Sequence, residues 1–338
     1  MQFTLNISNK KLLKRILAIT LPVFVVGASI TTYLVKTKNN DTPVINNNVT
    51  ITNGVKRQVF LINKNNLLTP LTVVIEKKEL VVDELKELMN LLKEDSKLKN
   101  ENFNKVLNKE CDIKNITLED STVTLNFTES FNNYDEKNEK RIVESLVWTC
   151  LQYDEITNVK LQVEDVNLTY MPLNNTPLPS LLTKDIGINN HLCIGDTTKE
   201  TVNVFYETTI ENDKYYVPVS IKVDNLDNNH KEIINGMTYS LPLYTNLKIP
   251  SLVNRIEVLK YNEIDENNNL NLELSSKALY DETTIDNSVF NLLVMNLMFN
   301  DKNIETVSVS VNNEVLMVSG YEENTVPVSN ITYNEIKL

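Results

Sequence analysis

Histidine, cysteine and paired carboxylates carry most metal, nucleophilic and acid–base chemistry, and this chain of 338 residues holds only 2 His and 3 Cys. His191 and Cys193 stand two apart in His191-Leu192-Cys193. A tetrahedral metal site needs two further ligands at short spacing, and none follow, so the pair reads as surface chemistry without a metal. His230 lies in an acidic, Asn-rich stretch and reads as a solvated loop residue. Cys150 sits two residues from Trp148 on an apolar helical face, the setting of a small buried hydrophobe and not of a reactive thiol. With Cys111 and Cys193 the cysteine count is odd. One disulfide outside the cell is compatible with it, but the sequence does not choose the pairing among Cys111, Cys150 and Cys193. Asp265-Glu266-Asn267-Asn268-Asn269 offers oxygen ligands. It lacks the sixth-position Gly and the distal Glu of a calcium loop, and is predicted to be a hairpin turn. Asp135-Glu136 and Asp281-Glu282 would form an acid–base pair only if their regions faced one another. Both precede a helical pattern, where the N-terminal dipole favours negative charge. With 6 Gly the chain has no phosphate-cradling loop, and it has no H-E-x-x-H or G-x-S-x-G. The expectation is a non-enzyme with no catalytic, cofactor-binding or metal-binding residue and no small-molecule substrate.

Charge is unevenly spread around the net of −12. Residues 1–38 carry Lys10, Lys11, Lys14, Arg15, Lys36 and Lys38 and no acid, which leaves −18 on the remainder. Phosphate backbones are bound by Lys and Arg, so nucleic acid is excluded as a partner. Residues 16–35, ILAITLPVFVVGASITTYLV, are uncharged and long enough to cross ~30 Å of hydrocarbon. The basic flank places residues 1–15 in the cytoplasm and the rest outside, on a single-pass anchor in the cell membrane. A cleaved signal peptide ending near Gly27-Ala28-Ser29 is the alternative. Residues 36–56 read as a flexible stalk. Asn is abundant and, with Lys and Ile, reads as coding bias.

The elements that would position any site come twice. Gln58-Val-Phe-Leu-Ile62 and Leu71-Thr-Val-Val-Ile75 open the first copy; Val202-Asn-Val-Phe-Tyr206 and Val217 to Val223 open the second. Val82, Leu85, Leu88, Met89 and Leu92 share one helical face, with a weaker counterpart near 226–237. Strands at Ser121–Thr128 and Asn269–Ser275 precede helices carrying Ile142, Val143, Leu146, Val147, Cys150 and Leu151, and Val289, Phe290, Leu293, Val294, Leu297 and Met298. These two helical sets are offset by 147 residues throughout. Alternating strands close each copy, Val159–Val163 and Val307–Val311. The fold class is α+β: two β-β-α-β-β-α-β units, each a sheet with two helices on one face, behind a transmembrane helix. The units are placed at 57–170 and 201–320, with a Pro-bearing linker at 171–200 that keeps them independent and a tail at 321–338.

Those strands and helices, at Val123 to Phe131, Ile142 to Leu151 and Ile156 to Val163, and at Leu270 to Ser275, Val289 to Met298 and Ile304 to Val311, resemble the GerMN domain. This is the module of the GerM sporulation and spore-germination proteins. Two copies behind a membrane signal is also their layout. The resemblance implies a structural role outside the membrane and no catalytic residue, since such modules resemble the ring-building units of the channel between mother cell and forespore. The expected partners are envelope or sporulation-complex proteins, with self-assembly included. The closing strands would serve it if they lie at sheet edges; lying mid-sheet they would be core, and the sequence leaves both open. The alternative function is a glycan-binding module of the cell wall.

Overall fold

Strands and helices follow the expected order through the computed structural model, which describes residues 53–190, 199–223 and 229–338. The proposed anchor at 16–35 and nearly all of the stalk lie outside the described residues, as do His191 and Cys193. Among the described residues no helix is long and apolar enough to cross a membrane.

The first lobe runs β1 (Gly54–Asn63), β2 (Leu68–Glu76), α1 (Val81–Leu91), a short β3 (Phe103–Asn104), β4 (Ile113–Glu119), β5 (Thr122–Phe127), α2 (Glu139–Cys150), β6 (Asn158–Val163) and β7 (Val166–Asn167). The second runs β8 (Glu200–Ile210), β9 (Asp213–Val223), α3 (Asn229–Tyr239), β10 (Val258–Tyr261), β11 (Asn269–Leu274), a short β12 (Thr284–Ile285), α4 (Asn287–Asn300) and β13 (Thr306–Val311). Short strands β14 (Glu314–Val315), β15 (Met317–Val318) and β16 (Thr325–Pro327) complete it. Leaving the short strands aside, both lobes spell β-β-α-β-β-α-β.

The strands of a lobe do not form one sheet with two helices on a face, as expected; they divide into two sheets. β1 and β2 form a hairpin joined only by β3, apart from the order β4-β5-β6-β7; β8 and β9 stand alone, apart from β10-β11-β13-β14 with β16 on β13. Side chains cause the break. The Gln152 amide takes the Gln58 N–H at 2.8 Å and gives to the Gln58 carbonyl at 2.8 Å, and Ser145 Oγ donates to the Phe60 carbonyl at 2.6 Å. In the second lobe Asn300 clasps both backbone groups of Asn203, and Asn296 Oδ1 accepts from Phe205 N. Amides and a hydroxyl from the second helix thus satisfy the edge that a further strand would have used.

β5 and β6 pair in parallel, as do β11 and β13, and α2 and α4 make the two crossovers. The closing strands are therefore interior. β6 lies between β5 and β7, and β13 lies between β11 and its partners β14 and β16. Their apolar character is core packing: Val159, Val307 and Val309 are fully buried.

Among the described residues twelve non-Gly residues have positive φ, and seven are Asn: 66, 175, 189, 268, 312, 313 and 334. Asn tolerates the left-handed region because its short polar side chain bonds locally, so in this Gly-poor chain it takes over turn positions. Two-residue turns are made by Asp120-Ser121, Glu164-Asp165 and Asn312-Asn313, all at positive φ, as primed hairpin turns demand.

Two cores form, and each lobe lends a hairpin tip to the other. Leu67, from the β1–β2 turn, packs in the core of the second lobe, while Ile210 and Tyr215, from the β8–β9 hairpin, pack in the first. Tyr215 meets Phe103 edge-on with ring centres 5.0 Å apart. Residues 171–190 are packed at their two ends, with Met171 and Ile188 fully buried, while Leu173 and Leu181 between them are exposed, so the segment is not a free linker over its whole length.

Candidate functional site

The side chains singled out by type are dispersed. His230 is buried at the start of α3, where Nε2 lies 2.9 Å from Asp301 Oδ2; it is not the solvated loop residue expected. Its hydrogen bond leads the effects that hold the Asp301 carboxyl below its usual pKa. Cys111 and Cys150 are buried free thiols. Burial pushes the Cys111 thiol up to about 12 and the Cys150 thiol higher still, away from thiolate chemistry. Asp265 closes the β10–β11 turn by accepting from Asn267 N and Asn269 N. Both acidic pairs precede their helices as expected, but neither caps the α-helix itself; Asp135 caps the 3-10 turn Glu136–Asn138 that runs into α2. Asp281 accepts from Thr283 N and Thr284 N in a local turn, and Asp135 from Lys137 N. The cap of α4 is Asp286, which accepts from Ser288 N and Val289 N and pairs with Arg255 Nη1 at 2.6 Å. Among the described residues no three His, Cys, Asp or Glu side chains gather as a metal site would require.

Two buried carboxylates were invisible in the sequence because acids read as solvent. Glu84 Oε2 on α1 accepts from Arg57 Nε at 2.7 Å and Tyr153 OH at 3.0 Å, and Oε1 from Lys78 N. The Arg57 guanidinium lies 4.7 Å over the Tyr153 ring. Glu139, in the first turn of α2, accepts from Tyr134 OH at 2.6 Å and from the N–H groups of Leu173, Asn174 and Thr176. For both, burial alone would raise the pKa, but the donors outweigh it and hold the carboxyls below the usual range. They are ionised anchors, with their oxygens already occupied.

A dense polar construction joins the lobes. β2 and β9 run alongside one another without a direct ladder; at Pro70 and Pro218, on the facing edges, there is no N–H to give. Two asparagines supply the missing bonds. Asn189 Oδ1 accepts from Leu68 N at 2.8 Å, while Nδ2 donates to the Leu68 and Pro218 carbonyls, each at 2.8 Å. Asn334 Oδ1 accepts from Tyr216 N at 2.8 Å, while Nδ2 donates to the Tyr216 carbonyl at 2.7 Å and the Pro70 carbonyl at 2.8 Å. The roles are reciprocal: the segment leaving the first lobe binds β9, and the segment leaving the second binds β2. Ile188 exchanges bonds with Ser220, and Thr72 bonds to Tyr333, Asn334 and Ile336. Gly187 precedes the first of these straps with φ +71°; a Cβ there would meet Ser220 Oγ and the Asn190 carbonyl at 3.2 Å. Trp148 Nε1 donates to the Gly187 carbonyl at 2.9 Å, and its ring stacks on Phe299 of the second lobe at 5.1 Å and 11°.

Beside this stack lies a cleft of about 450 Å³, walled by β1, the end of α2, the end of α4 and residues 328–333. No sequence signal marked the straps or the cleft, because both depend on residues far apart in the chain.

A family profile described as "Germane: Sporulation and spore germination" matches residues 58–169. The chain is 28% identical over 286 residues to the spore germination protein GerM of Bacillus subtilis (strain 168), covering 81% of this chain and 76% of that one. Its fold superposes on the solved tandem GerMN domains of the sporulation protein GerM from Bacillus subtilis with a TM-score of 0.68 and 25% identity, over 81% of this chain and 96% of that one. The profile falls on the first lobe, and the superposition spans both lobes with their repeated element order. The chain is thus similar to the GerM sporulation and spore-germination proteins across both lobes, and its first lobe carries the family profile.

Proposed function

We propose that this chain is a non-catalytic scaffold that binds other proteins in an extracytoplasmic assembly of sporulation, spore germination or the cell envelope. In this reading residues 16–35 hold it to the cell membrane and the two lobes stand outside. The observation that carries it is the end of α3 and the residues that follow it, Tyr239-Ser-Leu-Pro-Leu243. Tyr239, Leu241 and Leu243 are 77%, 79% and 53% exposed within five residues, on a surface where apolar side chains cost solvation unless something covers them. Leu259 on the free-edge strand β10 is a further exposed apolar group of the same lobe. Glycan binding has less support: Trp148, the only tryptophan, is 6% exposed inside the molecule, so no tryptophan stands on the outer surface for a glycan chain to stack on.

The test is complementation in the source organism. Deletion of the gene is expected to impair spore formation or germination. Leu241→Asp should leave the abundance and thermal midpoint of the protein unchanged yet fail to restore the phenotype. Full rescue by Leu241→Asp, or no phenotype on deletion, overturns the reading.

A further inference from the structure

The cleft at the lobe junction differs in charge from the rest of the molecule. The whole chain carries −12, yet the 18 residues lining the cleft include Lys56, Arg57 and Lys302 and no Asp or Glu. Its floor is apolar and aromatic, with Phe60, Trp148, Phe299 and Tyr333 contributing from both lobes. Arg57 is committed to Glu84, and Lys56 pairs with Glu335 at the surface. Lys302, at the C-terminal end of α4, is different: its ammonium donates to the Tyr153 carbonyl at 2.7 Å and makes no ion pair among the described residues. Burial lowers its pKa, with Asp154 and Glu155 acting at longer range in the opposite direction. An incompletely compensated cation beside an apolar wall favours an anion. A second polar group points the same way. The Tyr333 hydroxyl is buried, with the Gln58 side chain beside it, and has no hydrogen bond of acceptable geometry. A buried donor left without an acceptor is costly, so a residue of the cleft lining carries an unmet hydrogen bond.

We propose that this cleft binds a small amphipathic anion, its aromatic or branched apolar body against Trp148, Phe299 and Tyr333 and its charged group at Lys302. The volume suits such a ligand, since small-molecule sites fall at roughly 300–1,000 Å³ with a few polar groups on an apolar lining. This is independent of the protein-binding role, which rests on a different surface.

The chain contains its own reporter, because its single tryptophan lines the site. Titration of the full chain with 8-anilinonaphthalene-1-sulfonate is expected to quench Trp148 emission saturably, with energy transfer to the dye. N-phenyl-1-naphthylamine, the same aromatic body without the sulfonate, should bind at least about tenfold more weakly, in line with the ~1.4 kcal/mol that a tenfold change represents. Lys302→Glu should weaken the sulfonate at least tenfold, and Lys302→Arg should restore it. Circular dichroism melts of both variants check that the fold is intact. Equal affinity for the two dyes, no effect of Lys302→Glu in a folded protein, or dye binding without a change in Trp148 emission each overturns the proposal.

Discussion

Glu139 and Asn334 show how single side chains hold distant segments. Glu139 gathers donors from Tyr134 and from residues 173–176. Its depressed pKa means the bonds are fully present above the unfolded carboxyl value, near 4.3, and are lost as pH falls through the lower folded value. Glu139→Gln should therefore cost about 1.5–3 kcal/mol at pH 7, the worth of hydrogen bonds to a charged group. The gap between wild type and variant in urea midpoints should narrow as pH is lowered from 7 to 3. Asn334→Ala removes three bonds and leaves the Tyr216 and Pro70 backbone groups unsatisfied, for a cost of roughly 1–3 kcal/mol read by the same assay. It also forces Ala into φ +50°, so Asn334→Gly separates the backbone share of that cost. Residue types alone misread these positions. Asn looked like compositional bias, and an acid at the start of a helix looked like a solvated charge, because the bonding partners lie in other segments and leave no local periodicity.

At the scale of elements the hydrophobic periods were informative. The two repeated helical faces became α2 and α4, with Leu146 and Leu293 fully buried, and alternation located β5, β6, β11 and β13. Pairing was not legible, since alternation says a strand has one packed face but not which neighbour it meets. The division of each lobe into two sheets turned on Gln152 and Asn300, polar residues near helix ends with no pattern to mark them. Interior β13 gives a direct prediction. Ser308 has β11 on one side and β16 on the other, so Ser308→Pro has no solvent edge to use. The cost of ~3 kcal/mol or more should abolish the cooperative unfolding transition by circular dichroism. A folded Ser308→Pro protein would mean the strand is not interior.

For the whole molecule, the expectation of two independent units fails on the exchanged hairpin tips. A core that contains the neighbour's side chains melts with the neighbour. Leu146→Asp, which puts a charge in the core of the first lobe, should lower a single calorimetric transition shared by both lobes and should not leave a native second lobe behind. Leu67→Ala, a change on the first hairpin, should destabilise by about 2–5 kcal/mol through the core of the second. Two resolved transitions in the wild type would contradict this coupling. Duplication of the unit was readable from the 147-residue offset, but the way the copies lock together was not. The lock is built by the Pro70 and Pro218 edges and two left-handed asparagines 145 residues apart, whose meaning appears only when both copies are side by side.

The reciprocal stitching has an origin-like logic. Asn189 serves Leu68 and Pro218; Asn334 serves Tyr216 and Pro70, which are the same positions with the lobes interchanged. Such self-complementarity is the hallmark of an isologous contact, the kind a homodimer closes on itself through a two-fold axis. The tandem chain is, in effect, a dimer whose subunits have been joined end to end. A single lobe of residues 53–190 retains β2, Pro70 and the Asn189 strap, and in sedimentation equilibrium it should self-associate, each copy's strap crossing to the other's hairpin, with Asn189→Ala shifting it toward monomer.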